Sequence, residues 1–141
     1  MYRIIYLSSA VDAVDDIELE KILVKSETYN STNNISGILL HIDGDFIQVL
    51  EGEKENVSLI FDKIKTDKRH KGLITVYEGE FAKRQFENWS ICYKSNNFKD
   101  IDKIEGLKEF DKTNLFNSND RIALTFLSVF LKSHKNHINY L

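Results

Sequence analysis

Asp43-Gly44-Asp45-Phe46-Ile47-Gln48-Val49-Leu50-Glu51-Gly52 is the stretch from which the fold can be read. The Asp-Gly pair at 43–44 signals a two-residue hairpin, because both central residues of a type I′ turn need positive φ. The run that returns from it, Asp45 to Glu51, alternates with period two until Gly52 breaks it. Phe46, Gln48 and Leu50 share one face, and Ile47 and Val49 share the other. Both faces are apolar, so this strand is expected to be central and covered on both sides. Gln48 is then a carboxamide inside a core. Left without a partner it would cost ~1–3 kcal/mol.

Working outward, Ile35 to Ile42 is the outgoing strand of the hairpin, and Asn30 to Asn34 is a polar turn before it. Leu19, Ile22 and Leu23 follow an Asp15/Glu18 capping pattern and predict a helix from about Asp16 to Tyr29. Arg3 to Ser8 reads as a strand. Downstream, Val57, Ile60, Phe61 and Ile64 fall at helical spacing. Leu73 to Glu80 and Asn88 to Tyr93 read as strands joined by a polar connection containing Lys83-Arg84. The order β-α-β-β-α-β-β opens as the split βαβ order of a ferredoxin-like α+β sheet, with two helices on one face. In this reading the first and third strands are parallel neighbours.

Past Lys94 the chain turns polar, with Ile104, Leu107 and Phe110 as the seed of a short helix. A last helix runs from about Asp120 to His134. Ile122, Leu124, Phe126, Leu127, Val129, Phe130 and Leu131 make it apolar on most sides. It is expected to cover the bare face of the sheet and to offer a subunit interface, hence a homo-oligomer. The division is residues 1–95 for the sheet domain and 96–141 for a C-terminal helical extension.

The chain has 141 residues, one domain's worth, with 19 basic against 22 acidic side chains and a net charge of −3. That balance argues against binding a nucleic-acid backbone through bulk charge. One cysteine, Cys92, excludes an intrachain disulfide. No signal-like N-terminus and no apolar window near ~20 residues is present. A cytoplasmic protein without a membrane contact is expected.

Tyr6 shares a strand face with Ile4 and Ser8 and can sit beside Gln48. The pair is either a satisfied structural network that fixes strand register or the floor of a slot for a polar ligand edge. Asn30 ends the first helix and Arg69, beside Asp67, follows the second. Each alone reads as a helix cap or a solvated ion pair, and together they outline the rim of a slot suited to a flat heteroaromatic. Other signals are bland. His134 and His137 read as a frayed tail, Cys92 as a small buried thiol, Trp89 as core, and Glu51-Gly52-Glu53 as a strand end followed by a helix cap.

With these residues in place, the sequence resembles the BLUF family of blue-light sensors that use a flavin. Tyr2-Arg-Ile-Ile-Tyr-Leu-Ser8 resembles the family's first strand. Tyr29-Asn30 followed by Ile35-Ser36-Gly37-Ile38-Leu39 resembles its asparagine and "I-[TS]-G-x-L" segment. The 43–52 run matches "DGxFxQxLEG", Asp67-Lys-Arg-His70 matches "D-x-R-H", and Arg84-Gln-Phe86 with Trp89 matches "R-x-F-x-x-W". The tail resembles, less specifically, the helical extension of short stand-alone members.

The resemblance implies a flavin, FAD or FMN, bound non-covalently. Gln48 would bond its N5/O4 edge and Asn30 its O4/N3 side. Arg69, with Asp67, His70 and Lys63, would lie along the pyrimidine end and ribityl chain. Ile22, Ser26 and Ile64 would line the slot, and Phe46 would close part of it. Tyr6 would supply an electron and a coupled proton under light, Gln48 would rearrange, and the sheet would carry the change to the C-terminal helices. Trp89 and Ile91 stand at the family's tryptophan–methionine switch, with isoleucine replacing methionine. Output is expected through contacts with a downstream signalling protein or a change in assembly rather than through an effector domain of the same chain. The resemblance implies a sensor rather than an enzyme. The alternatives are a light-insensitive flavin-binding or interaction module and, more remotely, a small acylphosphatase-like enzyme. Against the latter, the loop from Ser9 to Asp15 has no Arg, Lys or Gly to hold a phosphate.

Overall fold

The computed structural model describes residues 1–12, 16–84, 86, 89–93 and 122–134, with the backbone alone for 16–20, 22–24 and 89–93. The elements are β1 (Tyr2–Ala10), α1 (Asp16–Thr32), β2 (Ser36–Ile42), β3 (Asp45–Gly52), α2 (Lys54–Thr66), β4 (His70–Glu80), β5 (Trp89–Tyr93) and α3 (Ile122–Ser133). Asp15, the 104–110 seed and His137 lie outside the described residues.

The strands form one sheet in the order β4-β1-β3-β2-β5. β1 and β3 are neighbours but antiparallel, pairing Tyr2 with Gly52 through to Ser9 with Asp45. The parallel pairing expected from the sequence is therefore corrected. The α1 crossover returns β2 in the direction of β1, and the Asp43-Gly44 hairpin then reverses β3, which inserts between them. Asp43 and Gly44 adopt φ of 56° and 86°, as a type I′ turn demands. The fifth strand adds a parallel edge, with Gly37 opposite Trp89 and Leu39 opposite Ile91.

Strand alternation sends the two faces of the sheet into two cores. On one, Ile4, Tyr6, Ile35 and Leu50 pack with Val57 and Phe61 of α2. On the other, Ile5, Ile38, Leu40, Ile47 and Val49 pack with Ala123, Leu124, Leu127, Phe130 and Leu131 of α3. Burial on both faces explains why β3 reads as nearly continuous hydrocarbon. α3 is not apolar for nothing: it buries that stripe on the sheet and leaves Val129 exposed. Among the described residues no helix is long and apolar enough to cross a membrane.

As read from the sequence, β3 ends at Gly52 and Glu53 caps α2, but Glu51 is more than a strand end. It is fully buried, and its Oε2 accepts from Arg3 Nε at 2.8 Å and Nη2 at 2.5 Å. Its Oε1 accepts the Phe86 backbone N–H at 2.9 Å. Arg84 fastens the same end of the sheet, donating to Ser36 Oγ at 2.5 Å, Glu51 O at 3.0 Å and Asn34 O at 2.8 Å. Gly52 sits close against its neighbours here: a Cβ would meet Asn34 O at 3.2 Å and Val57 Cγ2 at 3.3 Å, so a side chain would require them to give way.

Candidate functional site

Tyr6 and Gln48 are directly opposite each other on the two central strands, facing α2. Both are buried, and the Tyr6 hydroxyl donates to Gln48 Oε1. With that oxygen engaged by the phenol, the amide's donor capacity is its NH2 group. The Tyr6 ring lies 5.6 Å from Phe61 and 6.3 Å from His70, centroid to centroid. Burial holds the Tyr6 phenol protonated well above the usual tyrosine range, and the negative charge of Asp67 pushes the same way. A tyrosine so placed is a neutral hydrogen-bond donor.

Above this pair opens a slot between α1 and α2. Its floor is Tyr6, Ser8, Leu39, Phe46 and Gln48 from the sheet. Ser26 and Asn30 of α1 form one wall, and Ile60 and Ile64 of α2 the other, with Asp67, Arg69 and His70 at the end of α2. Asn30 does not end its helix, as the sequence suggests, because α1 continues to Thr32 and the chain turns at Asn34, which has φ of 54°. Asn30 is thus carried inside. Its backbone carbonyl accepts the Ile35 N–H at 2.8 Å, while its side-chain Oδ1 is buried with no hydrogen-bond partner among the described residues. Ser8 Oγ is in the same condition. Two such groups beside one slot are costly, ~1–3 kcal/mol each, unless something else meets them.

At the mouth, Arg69 Nε donates to Asp67 Oδ1 and Oδ2 at 2.9 and 3.0 Å, and the Arg69 backbone N–H adds a bond of 2.9 Å. This guanidinium holds the Asp67 carboxyl below the usual aspartate range. His70 Nε2 donates to Ile64 O at 2.6 Å, tying β4 to the end of α2. Phe46 is backed by His41, stacked at 4.2 Å.

The structure therefore brings together Tyr6, Ser26, Asn30, Phe46, Gln48, Ile64, Asp67, Arg69 and His70. Lys63 is not with them. Its ammonium sits 4.8 Å over the Tyr29 ring, bridging α2 to α1 by a cation–π contact. The side chains of Ile22, Trp89 and Ile91 lie outside the described residues. Ser8, Leu39 and Ile60 are slot residues not assigned from the sequence. Ser8 was readable in outline, since it shares the face of Tyr6; Leu39 is the cross-strand neighbour of Gln48.

A ferredoxin-like sheet with a helix-walled slot over a buried tyrosine–glutamine pair defines the class: a small α+β domain with a candidate ligand site between its helices. Residues 1–92 match the family model for sensors of blue light using FAD, BLUF, and the chain belongs to that family. Over 81 residues it is 35% identical to the photoactivated adenylate cyclase subunit alpha of Euglena gracilis. The match covers 57% of this chain and 8% of that protein, so the chain spans under a tenth of the curated relative. Among solved structures, BlsA in its photo-activated state superimposes with a TM-score of 0.64 at 28% identity, covering 92% of this chain and 93% of that one. Klebsiella pneumoniae BlrP1 with FMN and cyclic diGMP gives a TM-score of 0.73 at 22% identity over 93% of this chain and 34% of its own, a likeness of fold.

Proposed function

We propose that this chain is a non-enzymatic blue-light receptor that holds a flavin, FAD or FMN, in the α1–α2 slot and signals by rearranging Gln48. The observation that carries the reading is the buried Tyr6–Gln48 hydrogen bond at the floor of a slot whose Asn30 Oδ1 and Ser8 Oγ have no hydrogen-bond partner among the described residues.

The residues fit such a ligand. A flavin ring has apolar faces and one edge that alternates donors and acceptors. Ile60 and Ile64 suit the faces. The Asn30 carbonyl is an acceptor that suits the N3–H side, and the Gln48 amide donor suits the O4/N5 side. Arg69, Asp67 and His70 suit the more polar end and the ribityl chain. When bound, the flavin supplies blue-light absorption and an excited ring that accepts an electron.

The chain's own residues do the rest. Tyr6 gives up an electron, and its proton has Gln48 Oε1 as immediate acceptor. Once the phenol no longer donates, the amide loses the bond that fixes its orientation. It can then turn over; the electron and the proton return to Tyr6, and the amide settles with a different atom toward the ligand. The pair is a two-state element whose states differ in hydrogen bonds rather than in covalent structure. β3 carries Gln48 on one face and the α3 contacts Ile47 and Val49 on the other. A downstream protein, or a change in assembly of a homo-oligomer, would read the result at α3.

The test is an absorption spectrum of the purified protein before and after blue light. The expected result is a yellow protein whose band moves to longer wavelength and returns in the dark. A colourless protein that takes up neither FAD nor FMN would remove the reading. A yellow protein with no reversible shift would leave only a light-insensitive flavin module.

A further inference from the structure

His134, read from the sequence as part of a frayed tail, is docked. Its Nε2 donates to Asp45 Oδ2 at 2.9 Å across 89 residues of chain. Its Nδ1 lies 2.7 Å from Phe130 O and 3.0 Å from Ser133 Oγ, and its ring packs 4.3 Å from Phe130. The side chain is only 12% exposed. Asp45 is held in turn from β1, where Ser9 Oγ donates to its Oδ1 at 3.1 Å and the Ala10 N–H reaches Gly44 O at 2.7 Å.

Asp45 is the residue before Phe46, which lines the slot. Strand alternation puts the two side chains on opposite faces of β3. One backbone segment therefore carries part of the slot floor on one side and the polar anchor of α3 on the other. The Leu127 and Phe130 contacts of α3 are apolar and tolerate sliding, because hydrophobic attraction is non-directional. A hydrogen bond to a carboxylate is directional and loses strength steeply with misalignment. Movement of the Phe46–Gln48 segment will be felt first at such a contact.

We propose that His134 is a positioning residue: through Asp45 it registers the C-terminal end of α3 against the strand that forms the slot, and this contact transmits the light-induced rearrangement to α3. The inference rests on the photoreceptor reading above and names the contact through which that site acts on its output helix.

Hydrogen exchange of the amides in 122–134, measured on the flavin-loaded full chain in the dark and under blue light, tests it. The variant His134→Phe keeps the ring against Phe130 and removes both ring nitrogens. Asp45→Ala removes the other partner and serves if the first variant folds poorly. The expected result is a light–dark exchange difference in the unaltered protein that falls several-fold in either variant, while the absorption shift keeps its size. A merely structural contact would raise exchange equally in dark and light and leave the difference intact; that outcome overturns the proposal. Absence of any light–dark difference in the unaltered protein, with a normal absorption shift, overturns it as well and spares the photoreceptor. Absence of the absorption shift in the unaltered protein fells both.

Discussion

Glu51→Gln is the perturbation whose cost the structure states most plainly. Arg3 is 2% exposed and Glu51 is 0% exposed, with Arg3 donating to Glu51 at 2.8 and 2.5 Å. Removing the carboxylate charge leaves a guanidinium buried without its counterion, which costs ~3–5 kcal/mol. The Arg3–Phe81 cation–π contact at 4.5 Å survives and offsets only a fraction. A chain of this length loses ~3–4 °C in melting temperature per kcal/mol, so the expected drop is ~10–20 °C. The double variant Arg3→Met with Glu51→Leu removes both charges. It should recover most of that loss and retain a deficit of ~1 kcal/mol from the Phe86 N–H, which loses its acceptor. Thermal and urea unfolding followed by far-ultraviolet circular dichroism, at one free flavin concentration and with the flavin Kd of each variant measured so that its RT ln(1 + [L]/Kd) contribution is subtracted, gives the numbers. A loss below ~1 kcal/mol for Glu51→Gln, or a double variant no better than the single, would refute the argument from burial.

Two further outcomes are expected. Tyr6→Phe keeps the ring contact with Phe61 but strands Gln48 Oε1, so flavin should still colour the protein while the reversible light-induced shift disappears; a normal shift in a difference spectrum would assign the donor to another residue. Burial depresses the His41 pKa against the weaker opposing pull of Asp45 and Asp43. The unfolded chain therefore takes up this proton first as the pH falls, and stability declines below the ordinary histidine value of ~6.5. His41→Phe should flatten that part of the urea-midpoint profile between neutral and mildly acidic pH, and an unchanged slope would show that His41 is not its source.

What the sequence made legible was whatever is encoded locally. The period-two run at 46–50, the Asp43-Gly44 turn and the helical spacing at 57–64 each specify one element through its own residues. The facing of Tyr6 and Gln48 also survived, although their strands run antiparallel rather than parallel. Opposite residues on adjacent strands share a face in either direction. Long-range polar pairing was not legible. Arg3 and Glu51 lie 48 residues apart and His134 and Asp45 lie 89 apart, and nothing in either local segment announces its partner. Asn30 was placed one helical turn too near the end of α1, because a run of polar residues at 30–34 hides the continuation to Thr32. Lys63 is a further case: its contact with the Tyr29 ring on the neighbouring helix is long-range in the same sense, and neither segment announces it.

The central claim is that the Gln48 amide changes which hydrogen bonds it offers the flavin under light. Infrared difference spectroscopy of the illuminated minus dark protein reads this at the flavin C4 carbonyl, whose stretch falls in frequency when it accepts a stronger hydrogen bond. The account predicts a reversible downward shift of that band in the unaltered protein and none in Gln48→Leu, with flavin bound in both. A carbonyl band that shifts equally in the two, or in neither while the visible spectrum still reddens, would contradict it.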